Sequence, residues 1–338
     1  MRLREIQAGR SGLVPSLARA GLSILALGWR VGLLARSALR AAGIPRRARL
    51  PVPVVSIGNL TAGGTGKTPF VAWLASRLRS DGRRVGILSR GYGPRAAGAD
   101  LSDEGMLLRR LIGRDVPQVE DPDRVRGGRR LLAEHPEVDV ILLDDGFQHR
   151  RLHRDLDVVL IDATCPFGYG RLLPRGLLRE PVSALRRAGA VVITRAERLD
   201  ASALEGLGRE IGALTGAPTA VVRTRPVAVE IDGVQHPPER LAGRSVFACC
   251  GIGNPDAFAG TLRDLGARVV GMRDLGDHVA LAPQGWAAVV TEARAAGADL
   301  VVATRKDAVK LPSVPPGVAI LDVETLLVEG EIPSVPRR

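Results

Sequence analysis

A glycine-rich turn that ends in a single lysine is the strongest chemical signal in this sequence. An apolar run, Val52–Ile57, leads into the turn, and a helix-like stretch begins at Pro69. Glycines let backbone N–H groups point inward around phosphate oxygens, and a helix N-terminus adds a favourable dipole. We therefore expect a nucleoside triphosphate here, with the Lys67 ammonium at its β- and γ-phosphates and the Thr68 hydroxyl on Mg²⁺. The predicted nucleotide loop comprises Thr61, Ala62, Gly63, Gly64, Thr65, Gly66, Lys67 and Thr68.

The loop departs from the usual pattern G-x-x-x-x-G-K-[ST] at one position. Thr61 stands where that pattern has its first glycine, and Gly63 and Gly64 supply the flexibility instead. The alternative is a glycine-rich turn with an incidental lysine. The strand–loop–helix context favours nucleotide binding.

A second buried run ends in two adjacent carboxylates. Val138–Leu143 is followed by Asp144, Asp145 and, four residues on, His149. A carboxylate at the carboxyl end of a strand next to the nucleotide loop is placed to hold Mg²⁺ or its water. We expect Asp144 and Asp145 to be metal ligands and His149 to orient a phosphate or a carboxylate; a surface histidine is the alternative for His149.

Two further segments place charged or polar side chains near the same edge of the sheet. Arg90 and Tyr92 follow the strand Val85–Ser89, where they could meet phosphate or sugar, or form a plain turn. Asp103 and Glu104 come after a loop of small residues. A carboxylate there could accept a proton, and a helix N-cap is the alternative.

Asp277–His278 and Lys306–Asp307 are the corresponding candidates further along the chain. A carboxylate that orients an imidazole forms a proton-accepting pair. Lysine occurs only at positions 67, 306 and 310 among 48 basic residues, so a retained lysine can signal a need for a compact ammonium. An ion pair is the alternative for Lys306, and chance is the alternative for Lys310.

The elements that must position these residues alternate between short apolar runs and helical patterns, as in a parallel sheet covered on both faces. We expect a P-loop NTPase-like, doubly wound α/β domain over residues 49–225. Its predicted strands are Val52–Ile57, Val85–Ser89, Val138–Leu143, Asp157–Ile161 and Ala190–Thr194, and its predicted helices include Pro69–Ser80 and Arg124–Glu134.

A change in composition suggests a second, smaller α/β domain. Residues 226–243 are rich in Pro and Gly and are expected to be a linker, and 326–338 a tail, with irregular chain after Pro312. Between them, over 244–325, the pattern resumes. The predicted elements there are Ser245–Cys249, Pro255–Leu265, Arg268–Gly271, 283–296 and Asp299–Thr304.

The first 48 residues form a basic, apolar segment that we expect to be an amphipathic membrane-surface helix. Residues 1–50 hold ten arginines and one acidic residue, which is +9 of the net charge of +12. Leu17, Ile24, Leu27, Val31 and Leu34 share one helical face, with arginines opposite and on the flanks. The longest uncharged stretch, Ala20–Trp29, is shorter than a spanning helix needs. A helix packed on the domain, or against a partner, is the alternative.

Composition restricts the remaining classes. Aromatic residues make up 3%, and the positive charge lies at one end, which fits an anionic membrane surface better than nucleic acid. Three cysteines with no metal-ligand spacing predict neither a disulfide framework nor a zinc site, and a reducing compartment is expected. No signal sequence and no protein partner are predicted.

Taken together, the motifs resemble one enzyme family. GNLTAGGTGKTP, SRGYG, DDGFQH, GRLLP, LREP, DH and KDAVKL follow one another in the order of the tetraacyldisaccharide 4′-kinases of lipid A biosynthesis, over roughly residues 15–311. The resemblance implies a membrane-associated kinase that moves the γ-phosphate of ATP, with Mg²⁺, to the 4′-hydroxyl of a tetraacylated glucosamine disaccharide 1-phosphate. It also implies a peripheral location on the cytoplasmic face of the bacterial inner membrane.

The resemblance also assigns residues. Asp103 matches the proposed catalytic base and His278 its partner, although Ser102 and Gly105 replace the Gly and Pro that flank this carboxylate in the family. Further expected substrate or phosphate contacts are Arg90, Tyr92, Glu104, His149 and Arg171. Two other classes stay open: a P-loop switch ATPase or GTPase without a sugar acceptor, and a non-enzymatic scaffold that binds nucleotide.

Overall fold

The computed structural model describes residues 6–9, 13–44, 47–91, 100–276, 279, 281–311 and 313–336. A long N-terminal helix, α1 (Leu13–Ala41), precedes an alternating α/β region. The helices of that region are α2 (Lys67–Ser80), α3 (Asp103–Ile112), α4 (Arg124–Glu134), α5 (Ala201–Leu214), α6 (Pro255–Asp264), α7 (Pro283–Ala295) and the single turn α8 (Arg305–Ala308).

Twelve strands within the described residues form one continuous sheet. They are β1 (Val54–Asn59), β2 (Val85–Ser89), β3 (Gln118–Glu120), β4 (Val140–Asp144), β5 (Leu156–Asp162), β6 (Ala190–Thr194), β7 (Thr219–Ile231), β8 (Val234–His236), β9 (Ser245–Cys250), β10 (Arg268–Asp274), β11 (Leu300–Thr304) and β12 (Val318–Glu329). Their order is β10-β9-β11-β12-β7-β6-β5-β1-β4-β2-β3, with β8 beside β7.

The sheet is parallel on both sides of one antiparallel seam. Strands β1 to β6 pair in parallel, as do β9 to β12, whereas β7 runs antiparallel to both β12 and β8. The central parallel strands are almost fully buried because helices cover both faces, whereas the edge strand β10 is half-buried to exposed. The seam divides the sheet into a first half that carries the nucleotide loop and a second half that carries β9 to β11, which confirms the doubly wound α/β prediction.

Two local predictions were wrong. Residues 226–243 contain the end of β7 and all of β8, and the chain after Pro312 contains the 12-residue strand β12. These segments are ordered because they pair with each other across the seam, for example Val229 with Leu321. The division of the chain into domains stays a prediction.

Helix α1 exposes the apolar face that the sequence predicted. Ile24 is 74% exposed, and Leu17, Leu27, Val31 and Leu34 are exposed to a similar degree. By length and composition, Val14–Leu39 could cross a membrane, which the ten-residue uncharged stretch alone did not indicate. None of its most apolar window is buried, so this face of the helix is not part of the protein core.

Candidate active site

A cavity of about 920 Å³ lies between the two halves, where the carboxyl ends of the parallel strands converge. Its floor is the loop between β1 and α2, and its walls include the ends of β2, β4 and β6. The cavity is also lined by residues of α1 and of the second half, namely Trp29, Leu33 and Arg36 and Thr304, Arg305 and Lys306. Ligands of doubly wound folds bind at such a crevice.

The predicted nucleotide loop uses its glycines in backbone conformations that other residues rarely adopt. Gly63 and Gly66 have φ angles of 112° and 78°, which are accessible to glycine without strain, and α2 begins at Lys67. The Thr194 hydroxyl at the end of β6 donates to the Thr65 carbonyl at 3.0 Å. Thr61 forms a β-bridge with Leu178, so its extended backbone has no need of a glycine.

Lys67 lies in a polar cluster at the centre of the cavity. Its ammonium donates to Asn59 Oδ1 at 3.3 Å and is 3.6 Å from Asp145 Oδ1. Arg179 donates to both Asp145 oxygens, at 3.0 and 2.9 Å. Burial alone would raise the pKa of Asp145, but the charges of Lys67 and Arg179 lower it. Asn59 and Arg179 were missed as site residues, although Arg179 belongs to the LREP segment.

Asp144 is the buried member of the acidic pair. It pairs in register with Ile57 on β1, is 5% exposed, and its Oδ1 has no hydrogen-bond partner among the described residues. Burial, and then the charge of Glu104, raises its pKa to about 7. An unpaired buried carboxylate oxygen beside the phosphate loop is suited to a bound cation.

Asp103 and Glu104 are adjacent in the chain, but their side chains lie in different environments. The N-cap of α3 is Ser102, whose hydroxyl accepts from Gly105 N at 3.3 Å, so the N-cap alternative for Asp103 is wrong. Asp103 is buried, and its Oδ2 lacks a hydrogen-bond partner within the described chain. Glu104 lines the cavity, whereas Asp103 is not among its lining residues.

Of the other expected contact residues, some line the cavity and others do not. Arg90 and His149 line the cavity. Burial, and then the charge of Arg124, lowers the pKa of His149 to about 4, so this imidazole is neutral at physiological pH. Arg171 is exposed and is not a lining residue; it lies near Arg175, whose pKa it lowers together with Arg19 of α1, after the larger effect of burial. Tyr92, Asp277 and His278 lie outside the described residues.

The second half touches the nucleotide loop directly. A Cβ atom placed on Gly253 would lie 2.0 Å from Gly64 N, so the backbones of the two loops are in contact there. Lys306 Nζ is 3.8 Å from Glu104 Oε1, which links the two halves across the cavity. Asn254 Nδ2 donates to Thr164 Oγ1 at 2.8 Å beside them.

Comparisons with known proteins point to one family. The family model described as tetraacyldisaccharide-1-P 4′-kinase matches residues 18–333. A tetraacyldisaccharide 4′-kinase of Anaeromyxobacter sp. strain K is 40% identical over 341 residues, covering 96% of this chain and 89% of the relative. One from Geobacter metallireducens is 39% identical, covering 89% of this chain and 91% of the relative.

A solved structure agrees with the sequence relatives. The crystal structure of LpxK from Aquifex aeolicus, described as the "apo" form in complex with ATP, superposes with a TM-score of 0.69 at 31% identity. The match covers 92% of this chain and 95% of that one, so it includes both halves and the cavity between them. With its lysine-bearing phosphate loop, paired aspartates and near-complete match to the family, this chain belongs to the tetraacyldisaccharide 4′-kinase family.

Proposed function

We propose that this kinase transfers the γ-phosphate of ATP to the 4′-hydroxyl of a tetraacylated glucosamine disaccharide 1-phosphate in lipid A biosynthesis. The observation that carries the proposal is the position of Lys67, beside Asp145 in a cavity that the apolar helix α1 also lines. A triphosphate and an acylated sugar need these two environments within reach of each other. Family membership and the ATP bound to the Aquifex aeolicus relative support it.

The nucleotide end is built from residues 61–68. Gly63 to Thr68, which include the N-terminus of α2, line the cavity, whereas Thr61 and Ala62 do not. The backbone N–H groups of this segment would hold the β- and γ-phosphate oxygens. Lys67 would exchange Asp145 for phosphate oxygens and neutralise the charge that develops on the transferred group. Transfer needs alignment and charge neutralisation more than covalent participation of the protein.

Mg²⁺ fits the residues present. The described residues contain no group of three His, Cys, Asp or Glu side chains that could hold a metal, so phosphate oxygens of ATP would have to complete the coordination of Mg²⁺ here. Asp144, with its unpaired buried oxygen, together with Asp145 and the Thr68 hydroxyl, would hold the ion. When bound, it supplies positive charge to the phosphate oxygens.

We assign proton acceptance to Asp103, assisted by His278. Asp103 is buried and has an unpaired oxygen, so its carboxylate has capacity to accept a proton from the sugar hydroxyl. Glu104 is the competing candidate because it lines the cavity. The variants Asp103→Asn and Glu104→Gln separate the two candidates, because replacing the residue that accepts the proton should lower kcat about 10²–10⁴-fold.

The apolar face of α1 supports association with the membrane that holds the acyl chains. We assign the enzyme to the cytoplasmic face of the inner membrane as a peripheral protein, with arginines of α1 toward anionic headgroups. Deleting residues 1–44 should move the protein from the membrane fraction to the soluble fraction. A deletion variant that stays with the membrane would contradict this assignment.

The activity is tested with γ-labelled ATP and the disaccharide lipid acceptor in detergent micelles, followed by chromatography of the lipid. We expect label in the lipid from the wild-type protein and none from Lys67→Ala, with Arg209→Ala, an exposed position on α5, as the matched control. ATP hydrolysis that is independent of the acceptor would indicate a switch ATPase instead. The family comparisons do not favour that alternative.

A further inference from the structure

Lys306 lines the cavity from the second half and has no role in the mechanism above. Within the described residues, Lys67 and Lys306 are the two lysines on the cavity wall, in a chain where arginine supplies nearly all positive charge. Lys306 is largely buried, with 16% of its side chain exposed. A lysine at this position therefore needs an explanation.

The residue before Lys306 is locked in place. Arg305 is buried, and its guanidinium donates to Asp322 Oδ1 at 2.6 Å and to Glu230 Oε2 at 2.7 Å. Both carboxylates belong to the antiparallel seam, on β12 and β7. This network fixes the start of α8 against the centre of the sheet.

The residue after Lys306 is locked as well. Both oxygens of Asp307 accept from Gly251 N at 3.1 Å, and the Thr304 hydroxyl donates to Asp307 Oδ2 at 2.6 Å. Lys310 Nζ lies 3.7 Å from the same carboxylate. Two buried, fully engaged side chains thus flank Lys306 and determine where its backbone lies, as in a functional group held by a rigid support.

The Lys306 side chain extends toward the phosphate site. Its ammonium is 3.8 Å from Glu104 Oε1, and both side chains line the cavity. The same cavity is lined from the first half by Lys67, Asp144 and Asp145, so the two lysines approach one cavity from opposite halves of the sheet. In this structure the Lys306 ammonium forms an ion pair with Glu104, as Lys67 does with Asp145.

We propose that Lys306 is a catalytic residue that contacts the γ-phosphate of bound ATP from the second half, exchanging Glu104 for phosphate oxygens. The inference rests on the proposed kinase function. During transfer the bond from the γ-phosphorus to the bridging oxygen breaks, the sugar oxygen forms the new bond, and its proton passes to a carboxylate. Lys306 stays protonated throughout and forms no covalent bond. A compact ammonium suits a group that changes partners better than a planar guanidinium does.

The test compares Lys306→Met with Arg294→Met, an exposed arginine on α7 of the same half, in the full-length enzyme. We measure kcat with ATP and lipid acceptor, and the dissociation constants of ATP and ADP without acceptor. We expect kcat of Lys306→Met to fall about 10²-fold or more, as for other preorganised charge-stabilising donors. ATP binding should weaken about tenfold, with ADP binding unchanged within about twofold, because ADP lacks the γ-phosphate.

A purely structural ion pair predicts a different pattern. In that case Lys306→Met and Glu104→Gln would lower ATP and ADP binding equally, and this result, or wild-type kcat in Lys306→Met, overturns the proposal. If Lys306→Met does not fold by thermal unfolding, Lys306→Gln, which keeps a polar contact to Glu104, is put to the same comparison. The ATP-to-ADP ratio needs no acceptor, so it still decides if the acceptor is a different sugar and the proposed function fails.

Discussion

Replacing Gly253 with alanine tests whether the two halves must touch at the nucleotide loop. The new Cβ atom would lie 2.0 Å from Gly64 N and 2.7 Å from Gly64 Cα, whereas real Cβ atoms essentially never come within 3.0 Å of another heavy atom. Both close atoms belong to the backbone, so no side chain can rotate away. The two loops must therefore separate by about 1 Å.

The expected costs differ for stability and for activity. Overpacking costs about 1–3 kcal/mol, which for an unfolding entropy of roughly 0.7 kcal/mol per kelvin in 338 residues lowers Tm by only about 1–4 °C. A displacement of about 1 Å in a phosphate cradle costs about 10²-fold in rate. Gly253→Ala should therefore fold normally and lose about 10²-fold in kcat/KM for ATP.

The assay measures initial rates over a range of ATP concentrations, together with thermal unfolding. Gly212→Ala on α5 is the matched control, because a Cβ atom there would meet nothing within 4 Å. It should keep full activity and unfold at or slightly above the wild-type temperature. A Gly253→Ala enzyme with kcat/KM within about threefold of wild type would refute the argument that this contact shapes the phosphate site.

Three further predictions concern buried ionisable groups. NMR titration should show a His149 pKa of about 4, against 6.5 in the unfolded chain. The neutral imidazole therefore contributes stability above pH 6.5 that is lost as pH falls toward 4. Bound ATP should raise the pKa of His149, because its negative charge offsets that of Arg124. Hydrogen bonds from Arg126 lower the pKa of Asp121 below 3.8 although burial opposes them. Asp121→Asn should therefore lower the urea midpoint at pH 7, and the difference from wild type should shrink as pH falls below 3.8. Burial raises the pKa of Cys249 to about 12, so a thiol reagent at pH 8 should leave it unmodified until the protein unfolds; rapid modification of the native protein would contradict this.

The elements that the sequence predicted best are those whose local pattern and burial agree. Val85–Ser89, Ala190–Thr194 and Arg124–Glu134 lie at their predicted bounds, because central parallel strands are apolar throughout and Asp123 caps the helix. The phosphate loop was equally clear, since its glycines, lysine and following helix are local features. Neither the bounds of these elements nor the position of the loop required knowledge of contacts between residues distant in the sequence.

The seam and the closed cavity were not predictable in this way. β7 contains Pro226 and alternates between buried and exposed residues, which argues against a central strand unless its partner β12 is known. The contact between Gly253 and Gly64 likewise joins segments almost 190 positions apart. Their proximity depends on how the two halves meet across the sheet, and no local pattern encodes that.

Arg179 links the apolar helix α1 to the charged cluster around Lys67. Its carbonyl accepts from Trp29 Nε1 of α1 at 3.1 Å, while its guanidinium holds Asp145, the carboxylate beside Lys67. A single residue therefore connects α1, which we propose faces the membrane, with Lys67, which we propose binds the triphosphate. A sugar whose acyl chains stay with α1 would have little distance to travel to the phosphate, and the charged groups could remain sheltered from lipid. Trp29 and Lys67 therefore line the same cavity and are joined through Arg179 and Asp145.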